Sequence, residues 1–256
     1  MTTTTTVVRP PAGAFERITR ITRLLLANPW TTIALPWIVI GGVFALNWLI
    51  WLILFTNLDS SDSADAREGI QYSGASSWMF VYMFIIAVQA INLAFPLALG
   101  YGATRRDFYI GAALTFVLLS AMYAVGLTIL SVIEELTNGW GLGGTMFTAI
   151  YFGGDVAWYV RLAIYFFGLL FFFFIGSVFA TLWVRWKTNG MIVGFGLLGL
   201  VLVGLAALFT YTASWDRVGE FFAHAGALGT ATWLLVPTAI AAVAGFFVLR
   251  RATPRS

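Results

Sequence analysis

Apolar residues in this chain come in six long runs separated by short polar stretches. The runs are Ile33–Phe55, Trp78–Leu99, Ile110–Ile133, Val156–Val184, Met191–Tyr211 and Leu228–Leu249. Each reaches the roughly 20 apolar residues needed to cross a bilayer as a helix, a conformation that satisfies its own backbone hydrogen bonds without water. None alternates in polarity over about ten residues, the signature of a membrane β-strand. The pattern therefore predicts an all-α, polytopic membrane protein with six transmembrane helices. Trp30, Trp37, Trp78, Trp158, Trp183, Trp186, Trp215 and Trp233 fall near run ends, as an interfacial aromatic belt requires.

Upstream of the first run the period changes. Over residues 13–30 (GAFERITRITRLLLANPW), Phe15, Ile18, Ile21, Leu25 and Leu26 share one side of a helix, with Arg17, Arg20 and Arg23 opposite. This predicts a basic amphipathic helix lying along an anionic lipid surface, ended or turned by Pro29. Residues 1–12, with five consecutive threonines, read as a disordered tail, and 31–256 as the membrane domain. The first apolar run starts too late and is too long for a signal peptide.

Composition strengthens this reading. Of the 256 residues, 60% are hydrophobic and 10% charged, against about 25% charged in a soluble domain. Charge sets the orientation. One side of the predicted membrane holds 11 basic and 2 acidic residues, and the other 3 basic and 9 acidic. The basic excess comes from the N-terminal helix, Arg105, Arg106, Arg185, Lys187 and the C-terminus, so both termini belong in the cytoplasm. The basic residues sit at membrane flanks, and no separate basic module for nucleic acid is present.

Several chemistries are excluded. The chain has no cysteine and one histidine, His224, so thiolate chemistry and a histidine zinc cluster are absent. It contains no GxxxxGK[ST], GxSxG or HExxH motif. Neither an ATPase site nor a catalytic centre is expected in the chain itself. No charged residue sits in the middle of a run; Asn47, Gln89 and Asn92 are the strongly polar mid-run side chains. Gln89 and Asn92, three apart, share a helix face, and Asn47 is expected at a depth facing them. They either line a pathway or hold helices together by hydrogen bonds. Glu134 and Glu135 either pair with Arg161 or are solvated interfacial charges. The phenylalanines at 166, 167 and 171–174 read as lipid-facing or core packing ahead of a drug-binding surface, and Gly190, Gly194, Gly196, Gly199 and Gly204 as a close-packing stripe.

The segment between the second and third runs reads FPLALGYGATRRDFYIGAAL, from Phe95 to Leu114. Its glycine, threonine, paired arginines, acid and aromatics resemble the cytoplasmic turn of type-2 ABC transporter permeases, particularly half-size six-helix exporter subunits common in actinobacteria. The preceding amphipathic helix and the cytoplasmic termini are similar too. The resemblance implies a subunit of the bacterial cytoplasmic membrane. It would pair with a second copy or a paralogue and be driven by separate ATPase subunits that hold ATP and Mg. It implies a coupling helix formed by Gly102, Thr104, Arg105, Arg106, Asp107, Phe108 and Tyr109. Thr104 would cap the helix, Asp107 complete a capping box, the arginines meet partner carboxylates, and Phe108 and Tyr109 supply an apolar anchor. It also implies an outer re-entrant segment within Ser214–Ala227. On the residues alone, Arg105 and Arg106 serve equally as topology markers. The expected function is export of a hydrophobic or amphipathic compound (drug, peptide or lipid). The alternative is a signalling or immunity protein that binds a partner in the bilayer without transporting anything.

Overall fold

The structure, a computed structural model, describes residues 13–57, 69 and 74–251. The tail at 1–12 and most of the charged segment between the first and second apolar runs, expected to face outward, with Asp59, Asp62, Asp65, Arg67 and Glu68, lie outside the described residues. Those described are helical with no strand. The helices are α1 (Ala14–Leu25), α2 (Leu35–Asn57), α3 (Trp78–Gly100), α4 (Arg105–Leu136), α5 (Trp158–Tyr211), α6 (Trp215–Trp233) and α7 (Leu235–Arg250). A π turn at Trp30–Ala34 leads into α2 and a 3₁₀ turn at Ala75–Ser77 into α3. Five helical stretches are long and apolar enough to cross a membrane: Trp30–Asn57, Ala75–Gly100, Arg105–Leu136, Trp158–Tyr211 and Trp215–Arg250. The chain is a multi-pass membrane protein.

α5 cannot be one straight rod. At 1.5 Å per residue its 54 residues would extend about 80 Å, over twice the hydrocarbon thickness of a bilayer. It reverses at Lys187, whose φ of 55° and ψ of −138° are non-helical. The second arm (188–211) folds back on the first (158–186), so that Phe195 stacks on Phe179 with ring centroids 4.5 Å apart. α6 reverses in the same way at Gly226, at φ 65° and ψ −177°. Phe221 then meets Trp233 at 5.4 Å. The last apolar run is accordingly divided at Leu234, with its first residues in the α6 hairpin and the rest in α7.

The core lies where α3, α4 and the first arm of α5 meet. Phe116 of α4 stacks on Phe173 at 5.0 Å and meets Phe174 edge-on. Phe80 of α3 packs on Phe152 and Tyr165. The phenylalanine run of α5 is thus mainly interior packing. The second arm is the opposite, with Ile192, Val193, Leu200 and Val203 each over 60% exposed. Gly194 packs on Leu182, whereas the stripe beyond it (Gly196, Gly199, Gly204) faces open space.

α1 does not lie apart on a surface. It runs beside the first turns of α4, where Ile21 is buried against Gly111. A Cβ at Gly111 would come within 2.7 Å of the Ile21 side chain, so only glycine permits this approach. The chain then climbs α4 in parallel: the Tyr123 hydroxyl donates to the Thr32 carbonyl, and the Trp37 ring lies 5.4 Å from Tyr123. The far half of α2 reaches the loop joining α4 to α5 (residues 137–157), the outer loop by the charge distribution, where Trp48 donates to the Trp140 carbonyl and Trp51 packs on Gly144. Pro36, Ile40 and Trp51 are its buried residues.

Candidate functional site

The turn between α3 and α4 is built from two helix-end devices. α3 ends in a Schellman motif: Ala103 N–H donates to Ala98 C=O at 3.0 Å and Gly102 N–H to Leu99 C=O at 2.9 Å. Gly102 takes φ +83°, which a glycine at this position adopts without a Cβ penalty. α4 begins with Thr104 as N-cap, its Oγ1 accepting from Asp107 N–H at 3.1 Å. Ala103, the last residue of the Schellman motif, is followed directly by Thr104, the cap of the next helix.

Beyond the cap, two expectations are corrected. The Asp107 carboxylate is committed to Arg17 of α1, whose Nε donates to Oδ2 at 2.7 Å, rather than closing a capping box as its main contact. Phe108 and Tyr109, expected as an anchor for a partner, are turned inward and buried. Phe108 meets Phe95 edge-on at 5.2 Å. The Tyr109 hydroxyl donates to Ala242 C=O of α7 at 2.7 Å, and its ring packs on Phe246. Once α4 starts at Arg105, its fourth and fifth residues fall on the face shared with α3 and α7. Arg105 Nη1 donates to Arg250 C=O at 3.1 Å, a cation against the C-terminal dipole of α7. The turn is therefore tied to α1, α3 and α7 at once.

Tyr101 (80% exposed), Gly102, Thr104 and Arg106 remain on its surface. Tyr101 was not singled out from the sequence, where an aromatic beside glycines reads as one more membrane-edge residue. On α1, Arg20 pairs with Glu16 one turn earlier, Arg23 is exposed, and Phe15 is 81% exposed. This end of the molecule thus presents arginines and two aromatic rings outward over a fixed base.

The three mid-run amides do not converge. Asn47 Nδ2 donates to Val43 C=O of its own helix at 2.9 Å. Its neighbours Phe44 and Trp48 engage Trp140 of the outer loop. Gln89 and Asn92 instead lie between Phe84, which packs on Phe179, and Phe95, which packs on Phe108. The expectation that Asn47 faces them at a common depth is corrected: α2 is displaced toward the outer loop by its climb along α4. Gln89 is exposed, and Asn92 Oδ1 is buried without a hydrogen-bond partner.

A second polar centre lies at the opposite end. Glu134, 1% exposed, sits under residues 146–148 of the outer loop. Its carboxylate accepts from the N–H groups of Met146, Phe147 and Thr148 at 2.9–3.2 Å, from the Thr148 hydroxyl, and from Trp140 Nε1 at 2.9 Å. Arg161, fully buried, pairs through Nη1 with Glu135 and donates from Nη2 to Gly154 C=O at 2.6 Å. The Arg161–Glu135 pair was among the sequence alternatives, but the Glu134 cradle was not. Its signal was present: Tyr123, Leu127, Ser131 and Glu134 recur at helical spacing on the buried face of α4.

Among the described residues no group of three or more His, Cys, Asp or Glu side chains could hold a metal. No protein-family model, no curated protein and no solved structure matches the chain.

Proposed function

We propose that this chain is the membrane-spanning permease subunit of an ATP-driven exporter of the ABC type. It would work with a second copy or a paralogue in the bacterial cytoplasmic membrane, and separate subunits would bind and hydrolyse ATP with Mg. In this reading the two arms of α5 cross the membrane separately. That makes six spans with both termini inside, and the α6 hairpin dips into the outer leaflet without crossing.

The observation that most supports the reading is the construction of the α3–α4 turn. Its exposed part, Tyr101 to Arg106, offers a guanidinium and an aromatic ring suited to an acidic, partly apolar protein surface. Its buried part is fastened to α1 by Asp107, to α3 by Phe108 and to α7 by Tyr109, and the half-exposed Arg105 adds a second link to α7. A force on the turn therefore reaches three helices without first deforming the turn. Closure of two ATPase subunits around ATP would draw two such turns together and open a path between the permease chains. ATP can drive the change only by binding the closed arrangement more tightly than the open one. Gln89 and Asn92 are the candidate pathway residues; Asn47, at the outer loop, is not.

The test is recovery of an ATPase with a phosphate-binding loop from membranes expressing the chain. Arg106→Glu should abolish copurification while the protein inserts and melts normally. Arg105→Glu is less clean because Arg105 also caps α7. An unchanged set of copurifying proteins with Arg106→Glu would refute the assignment of the turn.

A further inference from the structure

We propose that the outer end of the chain carries a two-chamber site for a cationic amphiphile, a molecule with an apolar body of drug size and one positive charge. The first chamber, about 600 Å³, lies between the outer loop, the first arm of α5 and the α6 hairpin. Ile150, Tyr151, Ile164, Phe222 and Trp233 give it an aliphatic and aromatic lining, with Thr230 at its side. Its volume falls in the range of small-molecule sites, about 300–1,000 Å³. The second chamber, about 430 Å³, shares Ile150 and Gly153 with the first and so opens beside it. Its character is different: Glu135, Asp155, Thr145 and Thr148 line it. Thr145 Oγ1 is buried there with no hydrogen-bond partner.

The charge balance selects the sign of the ligand. Glu135 and Asp155 line this chamber and no cationic side chain does; the nearest, Arg161, is buried behind it and paired with Glu135. Glu135 gives only Oε1 to Arg161, and Asp155 is exposed with no ion pair among the described residues. The wall between the chambers is held in place: Arg161 grips the Gly154 carbonyl, and Phe152 is packed on Phe80 and Tyr165. The facing wall is the α6 hairpin, which turns at Gly226. An apolar body would bury itself against Tyr151, Phe222 and Trp233, where aromatic faces also favour a cation, and place its charge toward Asp155 and Glu135. A lipid tail fits the first chamber alone, and an anionic headgroup is repelled by the second.

Tetraphenylphosphonium and tetraphenylborate share one shape and carry opposite charge, so they separate the two chambers' contributions. The full chain in nanodiscs of zwitterionic lipid is titrated with each by equilibrium dialysis, with empty discs subtracted. The cation should bind saturably and the anion at least about tenfold more weakly, since one unit charge a few ångströms from a partly solvated carboxylate changes affinity by about this factor. Asp155→Asn should weaken the cation about fivefold on the same grounds. Thr230→Trp, which fills the apolar chamber from an exposed position, should weaken it about tenfold or more. Equal affinity for the two ions, no saturable binding above empty discs, or binding unaltered by Thr230→Trp would each overturn the site. If Thr230→Trp fails to fold, the two ions and Asp155→Asn still decide. The measurement needs no ATPase, so its failure is distinct from failure of the coupling assignment.

Discussion

The two ends of α4 handle charge in opposite ways. At the outer end, Glu134 and Arg161 are buried, the Glu134 carboxylate and the Arg161 Nη2 group bonding the loop and Arg161 Nη1 returning to Glu135 and Ser131, so residues 137–157 are held by side chains beneath them. At the other end, Asp107 takes one arginine inward while Arg20, Arg23 and Arg106 stay exposed beside Tyr101 and Phe15. A buried carboxylate in a cage of donors stabilises one conformation strongly because any departure leaves polar groups unpaired in a low dielectric. An exposed arginine stabilises almost nothing in the single chain. The outer end is built to hold a shape, and the other end keeps unused binding capacity.

Removing the outer cage gives the largest expected effect. Glu134→Ala strips acceptors from three backbone N–H groups, the Trp140 indole and a hydroxyl, all at a buried site. Unfolding in detergent should show a loss of about 3–5 kcal/mol, the scale for leaving buried charge-assisted partners unpaired. Glu134→Gln, retaining one carbonyl oxygen, should lose about half of that. A loss below about 1 kcal/mol for Glu134→Ala would mean that water replaces the carboxylate and that the outer loop holds itself.

The same contrast explains which features were legible beforehand. All six apolar runs reappear as helix, because continuous apolarity over about 20 residues is a local property. The reversal near Lys187 was marked by Arg185, Trp186 and Lys187, and the Thr104 cap by its spacing from Asp107. Contacts between distant elements were hidden. Whether Asp107 turns to its own helix start or to Arg17, ninety positions earlier, is decided by how α1 docks on Gly111. Whether Phe108 and Tyr109 face a partner or the core depends on where α7 returns. The depth of Asn47 follows from the parallel climb of α1 and α2 along α4, which no periodicity records. Glu134 and Glu135 are adjacent in sequence but point about 100° apart on the helix, so one enters the loop cage and the other meets Arg161.

The link between α1 and the turn gives an intermediate effect. Asp107→Asn keeps the size and the backbone cap but removes the charge that holds Arg17. The Arg17 side chain is 38% exposed and that of Asp107 only 9%, so solvent screens the pair from one side. A loss of about 1 kcal/mol is expected, shrinking as salt is raised. A salt-independent loss would place the contribution in packing at Gly111 rather than in the ion pair. Thr104→Ala should cost a similar amount, about 1 kcal/mol, with no salt dependence, which separates the cap from the charge.

The smallest effect is expected on the exposed surface of the turn. Tyr101→Ser removes a ring that is 80% exposed, and Arg106→Glu reverses a charge with no ion pair among the described residues. Neither substitution leaves a buried group unpaired, so each should leave the melting temperature of the isolated chain unchanged, within the usual spread of about 0.5 kcal/mol for surface changes. The prediction can fail in an informative way. If Arg106→Glu destabilises the lone chain as much as Asp107→Asn does, the guanidinium already serves the fold, and the turn has less capacity left for a partner. If the chain is indifferent to both substitutions while the assembled complex is not, the unused capacity is what a second protein draws on.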